Sequence, residues 1–479
     1  MNRGLAWIGA AQTLISVLDI VSVLLILRFW VSRVDFGIQS LAYTLFPVLD
    51  IATDLGVSSA LIQRDDHTPA KLSTVFWFNV LLSLLLFALL CVLGPLLGRF
   101  HGHPVIGTLL IAYGAKLILQ NVYSIPMTLM KKQLRFPELS VIRVVSNLVE
   151  AGVKITLAAL GYTLWCFTLA ALSRVVVVAT LCQVRHPWRP QLVFRPREAA
   201  DYARFGLRTS ASQMLYHIYT NLDYQVVGYY FGAAALGVYK LAYEIVLDPV
   251  KIISNVVTEV AFPAFARMRH DAARLTEQFI TFTRMNLVTV LPFVALILLV
   301  VDDFIAVAMG AQWAGAAPAA RLLCLVGVLR ALSFLGPPLL DGVGKPQLTL
   351  RYMIIAALAL TGCYIGFAEA FGARLGYLSV ALAWTVGYPV AFVALTYMTL
   401  TQLGLRVSTL LRRIYGIPAS AALATIVAWA VSSTLRGVVP VLAHMVVTIG
   451  VLLTVLALLL AYWQDISPRS IGKSLSGKT

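Results

Sequence analysis

Apolar runs of roughly twenty residues follow one another along almost the whole chain. About 20 apolar residues in a helix cross the hydrocarbon core of a bilayer, with every backbone polar group satisfied inside the helix. With 60% hydrophobic and 12% charged residues, the composition excludes an ordinary soluble domain. We predict an all-α polytopic membrane protein with about fourteen transmembrane helices. The predicted spans are residues 5–30, 38–62, 73–98, 105–129, 138–160, 162–184, 207–231, 235–263, 280–301, 317–340, 347–369, 376–402, 414–434 and 439–463.

Lysine and arginine orient this array. With an even number of spans, the connections on one side carry most of the basic residues, which is typical of the cytoplasmic side. We therefore predict a multi-pass protein of the inner membrane with both termini in the cytoplasm. The first run is too long for a signal-peptide core, and we expect it to remain as the first span.

The net charge of +16 is scattered over the inner connections rather than gathered on one face, which argues against nucleic-acid binding. The five cysteines lie within apolar spans and form no CxxC pair. They indicate neither a disulfide framework nor a metal site.

The longest polar connection divides the chain. We predict an N-lobe of six spans at residues 1–184, a cytoplasmic linker at 185–206 and a C-lobe of six spans at 207–403. Spans 13 and 14 and a cytoplasmic tail occupy 404–479. A weak repeat supports two related lobes, because the segments 36–43 and 236–243 share Gly, Leu, Ala and Tyr at an offset of 200 residues. Parallel repeats related by an axis along the membrane normal are known in transporters.

Charged residues recur inside the apolar runs. In span 8 they are spaced by 4, 4, 3, 4 and 4 residues, which places them on one helix face. An ionisable group facing lipid costs at least about 2.5 kcal/mol at the bilayer centre, so this face must look into a bundle or a hydrated cavity. The face consists of Lys240, Glu244, Asp248, Lys251, Asn255 and Glu259.

Counted over all the predicted spans, basic residues outnumber acidic ones, which favours an anionic guest. We predict a cationic substrate-binding cavity lined by Lys116, Lys154, Arg174, Lys240, Lys251 and Arg330. A packing role is the alternative, since Glu150 with Lys154, or Lys240 with Glu244, have the spacing of ion pairs within one helix.

The acidic residues in the spans are candidates for ion coupling or gating: Asp50, Asp54, Asp223 and Asp248. Pro47 and Pro249 stand beside two of them, and each predicts a kink or break in its helix. Interrupted helices at matching places in two halves indicate a midplane site.

Short motifs over residues 1–400 carry a family resemblance. They are Val34-Asp35-Phe36-Gly37, Asp54-Leu55-Gly56, Ala60-Leu61-Ile62-Gln63-Arg64, Asn221-Leu222-Asp223-Tyr224, Leu236-Gly237-Val238-Tyr239, Phe262-Pro263-Ala264-Phe265, Gly310-Ala311-Gln312-Trp313 and Arg321-Leu322-Leu323. In this order they resemble the polysaccharide flippases of the multidrug/oligosaccharidyl-lipid/polysaccharide (MOP) exporter superfamily, of the Wzx and WzxC-like type.

The resemblance implies two six-helix lobes plus two C-terminal helices, a MATE/MurJ-like fold, around a cationic cavity. It implies alternating-access transport of an undecaprenyl-pyrophosphate-linked oligosaccharide, without enzymatic activity, metal or cofactor. H⁺ or Na⁺ is the expected coupling ion, and a polysaccharide polymerase or co-polymerase is a candidate partner. Two alternatives are a multidrug or other small-molecule exporter of the same superfamily and a membrane glycosyltransferase or polymer ligase.

Overall fold

The computed structural model describes residues 2–54, 61 and 68–464; the side chains of 2–13, 16–17, 54, 201–209 and 463–464 are outside this description. Over these ranges the chain is helical and contains no strand. The first half holds α1 Asn2–Phe29, α2 Arg33–Thr44, α3 Phe46–Asp54, α4 Pro69–Phe100, α5 Val105–Leu119, α6 Asn121–Lys132, α7 Phe136–Ala159 and α8 Cys166–Arg185. A long helical run, α9 Pro196–Arg267, follows.

The second half begins within α9. Its further helices are α10 Ala272–Phe304, α11 Ala316–Ser333, α12 Gly336–Gly342, α13 Pro346–Leu375, α14 Leu378–Leu403, α15 Val407–Ile414, α16 Gly416–Leu435 and α17 Val441–Gln464. The chain forms two compact units, residues 1–237 and 238–479. The lobe boundaries placed at 184 and 207 by the sequence stay a prediction.

Eight helices in the described residues are long and apolar enough to cross a membrane, and α5 with α6 makes a ninth span bent by 47°. Their outer surfaces are apolar: on α4, for example, Leu85 is 66% and Val92 is 64% exposed. Such continuous apolar surface fits a lipid environment. The all-α polytopic class is therefore confirmed. The number fourteen is consistent with these helices and stays a prediction.

Local sequence explains where the helices start and break. Ser32 caps α2 by accepting a hydrogen bond from the backbone N–H of Asp35, at 3.1 Å. Gly161 and Gly232, with φ of +89° and +81°, stand where the sequence placed the two shortest connections between spans. Such positive φ values favour glycine.

The two prolines behave differently. Span 2 is interrupted between α2 and α3, two residues before Pro47, as predicted. Helical dihedrals continue through Pro249, and Gly232 is the residue with non-helical dihedrals inside α9. The helix therefore has no break at Pro249, and the kink that the sequence offered as the alternative stays a prediction. Proline is tolerated in membrane helices because neighbouring groups satisfy the carbonyl it frees.

Polar contacts join helices inside each unit. In the first, the Gln39 side-chain amide donates to the Tyr113 hydroxyl at 2.6 Å and to the Thr168 hydroxyl at 2.8 Å, which links α2, α5 and α8. In the second, His444 of α17 contacts the Asp303 carboxylate at 2.7 Å and so ties the C-terminal pair of helices to α10. Hydrogen-bonded polar groups are the expected form of buried polarity.

Candidate functional site

Three of the predicted cations lie near one another in the first unit. Arg174 of α8 forms an ion pair with Glu150 of α7 at 3.2 Å, with 45% of the arginine side chain and 13% of the glutamate side chain exposed. Lys154, one turn after Glu150, is buried. Lys116 is half-buried, its ammonium lies 4.1 Å from the centre of the Phe46 ring, and it interacts electrostatically with Asp50, Arg174 and Glu150.

Asp19 of α1 is an acidic member of this group that the sequence analysis missed. It is half-buried and interacts electrostatically with Lys154, Glu150 and Arg174. Its signal in the sequence is a lone carboxylate within the first apolar run. The first unit therefore contains a mixed cluster, in which the three acids Asp19, Asp50 and Glu150 offset part of the positive charge.

Two further predicted cations meet at one ring in the second unit. The guanidinium of Arg330, a residue only 3% exposed, donates to the Tyr243 hydroxyl at 3.1 Å and lies 5.5 Å from the centre of the Trp384 ring. Lys240 lies 5.7 Å from the centre of the Tyr243 ring and forms an ion pair with Glu244 at 3.2 Å. Tyr243 thus brings Lys240 and Arg330 together.

The charged face of span 8 is buried only in its first part. Lys240, Glu244, Asp248 and Lys251 are half-buried, whereas Asn255 and Glu259 are exposed on the surface of their unit. The Lys240–Glu244 contact is the ion pair within one helix that the packing alternative requires. Both interpretations of Lys240 therefore remain open.

The structure describes the side chains of three of the four predicted coupling acids, and their environments differ. Asp223 has no exposed surface, and its Oδ1 accepts from the Tyr224 N–H at 3.0 Å. Asp50 is exposed beside a polar cavity of about 170 Å³ in the first unit. Asp248 is half-buried beside Pro249. The side chain of Asp54 lies outside the described residues.

The two copies of the repeat contact each other within residues 33–37 and 233–237. A Cβ atom added at Gly37 would overlap the carbonyl oxygen of Ala233, and one added at Gly237 would overlap the carbonyl oxygen of Arg33. The two contacts are reciprocal, because Gly37 and Gly237 are 200 residues apart and so are Arg33 and Ala233. Two segments related by a local two-fold axis contact each other in this reciprocal way. Glycine allows the backbones this close approach.

Comparison with known proteins gives a consistent family. A family model described as polysaccharide biosynthesis protein matches residues 26–318. The chain is 33% identical over 287 residues to the teichuronic acid biosynthesis protein TuaB of Bacillus subtilis (strain 168), a match that spans 59% of each chain. It is 26% identical over 394 residues to the lipopolysaccharide biosynthesis protein WzxC of Escherichia coli (strain K12), covering 80% of this chain and 79% of that one.

A third relative is the succinoglycan biosynthesis transport protein ExoT of Rhizobium meliloti (strain 1021), 27% identical over 80% of this chain and 76% of its own length. Among solved structures, the lipid II flippase MurJ in an inward closed conformation has a TM-score of 0.73 at 14% identity, covering 96% of this chain and 99% of that one. An inward-facing MATE family transporter of the MOP superfamily has a TM-score of 0.54 at 21% identity, covering 84% and 96%. These likenesses confirm the predicted MATE/MurJ-like fold.

Proposed function

Because the chain belongs to the polysaccharide biosynthesis protein family, we propose that it is a flippase for lipid-linked oligosaccharides. It moves undecaprenyl-pyrophosphate-linked repeat units from the cytoplasmic to the outer leaflet of a bacterial inner membrane, for exopolysaccharide, O-antigen or capsule assembly. WzxC and ExoT are named for lipopolysaccharide biosynthesis and succinoglycan transport, and MurJ for flipping lipid II. Both termini are cytoplasmic in this proposal, and a polymerase or co-polymerase is its candidate partner.

The buried cations of the two units carry this proposal. Lys154 and Arg330 are 6% and 3% exposed inside predicted membrane spans. Charges in such places are rare and face a bundle interior or a hydrated pathway. Arginine matches the geometry of phosphate oxygens, and a flexible ammonium acts as a point charge. A pyrophosphate and acidic sugars are suitable guests for such groups.

Transport requires the loaded site to open on each side in turn, and an ion gradient supplies the direction. We assign H⁺ or Na⁺ coupling to Asp50, Asp54, Asp223 and Asp248, the acids of the predicted spans. Among them, Asp223 has no exposed surface. A carboxylate in such a place changes its interactions strongly when it binds or releases a cation.

The proposal is tested in cells that need this protein to export their polymer. Arg330→Ala and Lys251→Ala are expected to lower export at least ten-fold and to cause lipid-linked repeat units to accumulate on the cytoplasmic leaflet. Arg274→Ala is the matched control, because that side chain is 80% exposed, and it is expected to export normally. Normal export by both cavity variants at normal protein levels would contradict the cavity assignment.

A further inference from the structure

Three helices form the polar cavity of the first unit. Two of them, α3 and α6, are the second halves of interrupted spans. Residues of α3, α4 and α6 line it, and Gln120 stands at the bend between α5 and α6. Its wall is mostly amide, hydroxyl and carboxylate, and includes Asp50, Thr53, Asn79, Gln120, Asn121 and Ser124. None of the cations assigned to the transport site is among its lining residues.

The hydrogen atoms of the serine and threonine hydroxyl groups in the cavity wall are already committed. Thr53 donates to the Asp50 carbonyl at 2.7 Å, Ser124 to the Asn121 carbonyl at 3.0 Å and Thr128 to the Ser124 carbonyl at 2.8 Å. A hydroxyl has one hydrogen and two lone pairs, so these oxygens can offer the cavity only lone pairs. Thr53 keeps one of them, because its oxygen also accepts from the Gln120 side-chain amide at 2.9 Å. The Asp50 carboxylate adds further acceptor capacity.

Asn79 provides an independent sign of a ligand. The residue is 3% exposed, and its Oδ1 has no hydrogen-bond partner in the described part of the chain. A buried acceptor without a partner costs about 1–3 kcal/mol, so a native site that keeps one is expected to satisfy it with a bound group. That group must donate hydrogen bonds or carry positive charge.

Size and composition separate these two possibilities. A cavity of about 150 Å³ holds one benzene ring, so about 170 Å³ has room for a single six-membered ring and is much larger than the cage of one desolvated cation. Lys131 in the wall offsets the charge of Asp50, so the wall lacks the net negative charge that favours a cation, and Tyr123 and Met127 provide apolar surface. A pyranose has a rim of donating hydroxyls and an apolar C–H face, and it matches both parts of the wall.

We propose that this cavity binds one neutral sugar ring of the transported oligosaccharide and so selects which repeat unit is moved. Asn79 Oδ1 accepts from one sugar hydroxyl, the lone pairs of Thr53 and Ser124 accept from others, and the Tyr123 ring contacts the C–H face. The assignment rests on the flippase function proposed above and deepens it by naming a subsite for sugar recognition.

The experiment uses the full-length protein in lipid nanodiscs in sodium-free buffer. The methyl pyranosides of glucose, galactose, mannose and N-acetylglucosamine are titrated separately, and binding is followed by saturation-transfer difference NMR. At least one is expected to bind, and Asn79→Leu is expected to weaken it at least ten-fold. Asn286→Leu is the matched control: Asn286 is also buried with an unpartnered Oδ1 but lies in the second unit, and its variant is expected to bind like the wild type.

The absence of any pyranoside binding to the wild type, or equal binding to Asn79→Leu, would overturn the proposal. Stabilisation by NaCl over KCl that Asn79→Leu abolishes would identify a cation site and also overturn it. If Asn79→Leu does not fold, Ser124→Ala replaces it and is expected to weaken binding at least three-fold, with unchanged binding overturning the proposal. If the sugar-binding test fails while Arg330→Ala still lowers export, only the sugar subsite is rejected. If cells that lack this protein still export their polymer, the flippase function is rejected.

Discussion

Tyr43 and Tyr243 occupy the same position in the two copies of the repeat, but their surroundings differ. Tyr243 is buried, and its hydroxyl accepts from the Arg330 guanidinium. Tyr43 is 46% exposed, and its ring packs edge-on against Tyr113, with centroids 5.8 Å apart. Tyr113 in turn accepts a hydrogen bond from Gln39. The repeated tyrosine contacts a cation directly in the second unit. In the first unit it packs against Phe46, and it is the Phe46 ring that faces the Lys116 ammonium.

The cations of the two units differ in the same sense. Arg174 in the first unit lies against the carboxylate of Glu150. Arg330 in the second unit lies over Trp384, whose ring packs against Tyr364 and Tyr388 with centroids 5.6 and 6.0 Å away. A carboxylate at this distance compensates part of the charge of a guanidinium. In the proposed flippase, we therefore expect Glu150 to weaken the attraction of Arg174 for an anion.

The largest effect is expected at the contact between Gly37 and Gly237, where the two copies of the repeat make equivalent contacts. Gly37→Ala and Gly237→Ala should each destabilise the protein by about 1–3 kcal/mol, because the new methyl group overlaps a backbone carbonyl that cannot move alone. The measurement is unfolding of the purified variants in mixed SDS–detergent micelles. Equal effects at the two positions would support the local two-fold axis.

Gly152→Ala is the matched control for these variants. Gly152 lies inside α7, and a Cβ added there would meet nothing within 4 Å. Alanine is favoured over glycine in a helix by about 0.5–1 kcal/mol, so this variant should be as stable as the wild type or more stable. Destabilisation of all three variants to the same extent would show that the glycine contact has no special role.

The next effect concerns the ion pair of the first unit. A double-mutant cycle with Glu150→Gln and Arg174→Gln should give a coupling energy of about 1 kcal/mol, because the arginine side chain is 45% exposed and water or headgroups screen it. Unfolding of the four proteins measures it. In the proposed flippase, export should fall less in Arg174→Gln than in Arg330→Ala, and the reverse order would contradict the weakening of Arg174 by Glu150.

The comparison also shows what the sequence could predict. Helical class, the positions of the spans and the burial of Lys154 and Arg330 follow from apolar runs and helical periodicity, which are local properties. The partner of a charge is not local. Glu150 had Lys154 at the spacing of an ion pair in its own helix, but its ion pair in the structure is with Arg174 of the next helix. That choice depends on how α7 and α8 are rotated about their axes, which no spacing within one helix determines.

Single polar residues in apolar runs were missed for a related reason. Asp19, Gln39 and Thr168 have no periodic companions, so no pattern marks them, although Gln39 alone links three helices. The same limit applied to Asn79, whose interest comes from an acceptor left without a partner. Conversely, the repeat was visible in four matching residues, and the structure places those segments in contact.

A smaller effect is expected for the ion pair within span 8. Lys240→Gln should change stability by only about 0.2–0.5 kcal/mol, because the pair is four residues apart on one helix and has the weaker Lys-before-Glu order. Export separates the two interpretations of this lysine. Lower export at unchanged stability would assign Lys240 to the transport site, and unchanged export would leave it the packing role.

The smallest effect lies outside the spans, in the connection between α4 and α5, and tests whether the first unit depends on neutral polar contacts. His101 hydrogen-bonds Gln225 at 3.1 Å, and burial lowers the pKa of His101 below its ordinary value of 6.5 despite that bond and with a small further contribution from His103. The unfolded chain therefore binds the proton more readily, and stability falls as pH drops below 6.5 and through the folded-state pKa. The melting temperature of His101→Gln should fall less than that of the wild type between pH 8 and pH 5. His270→Gln is the control, because His270 is exposed, and its melting temperature should vary with pH as that of the wild type does. Parallel profiles for wild type and His101→Gln would mean that the neutral hydrogen bond does not contribute to the stability of the first unit.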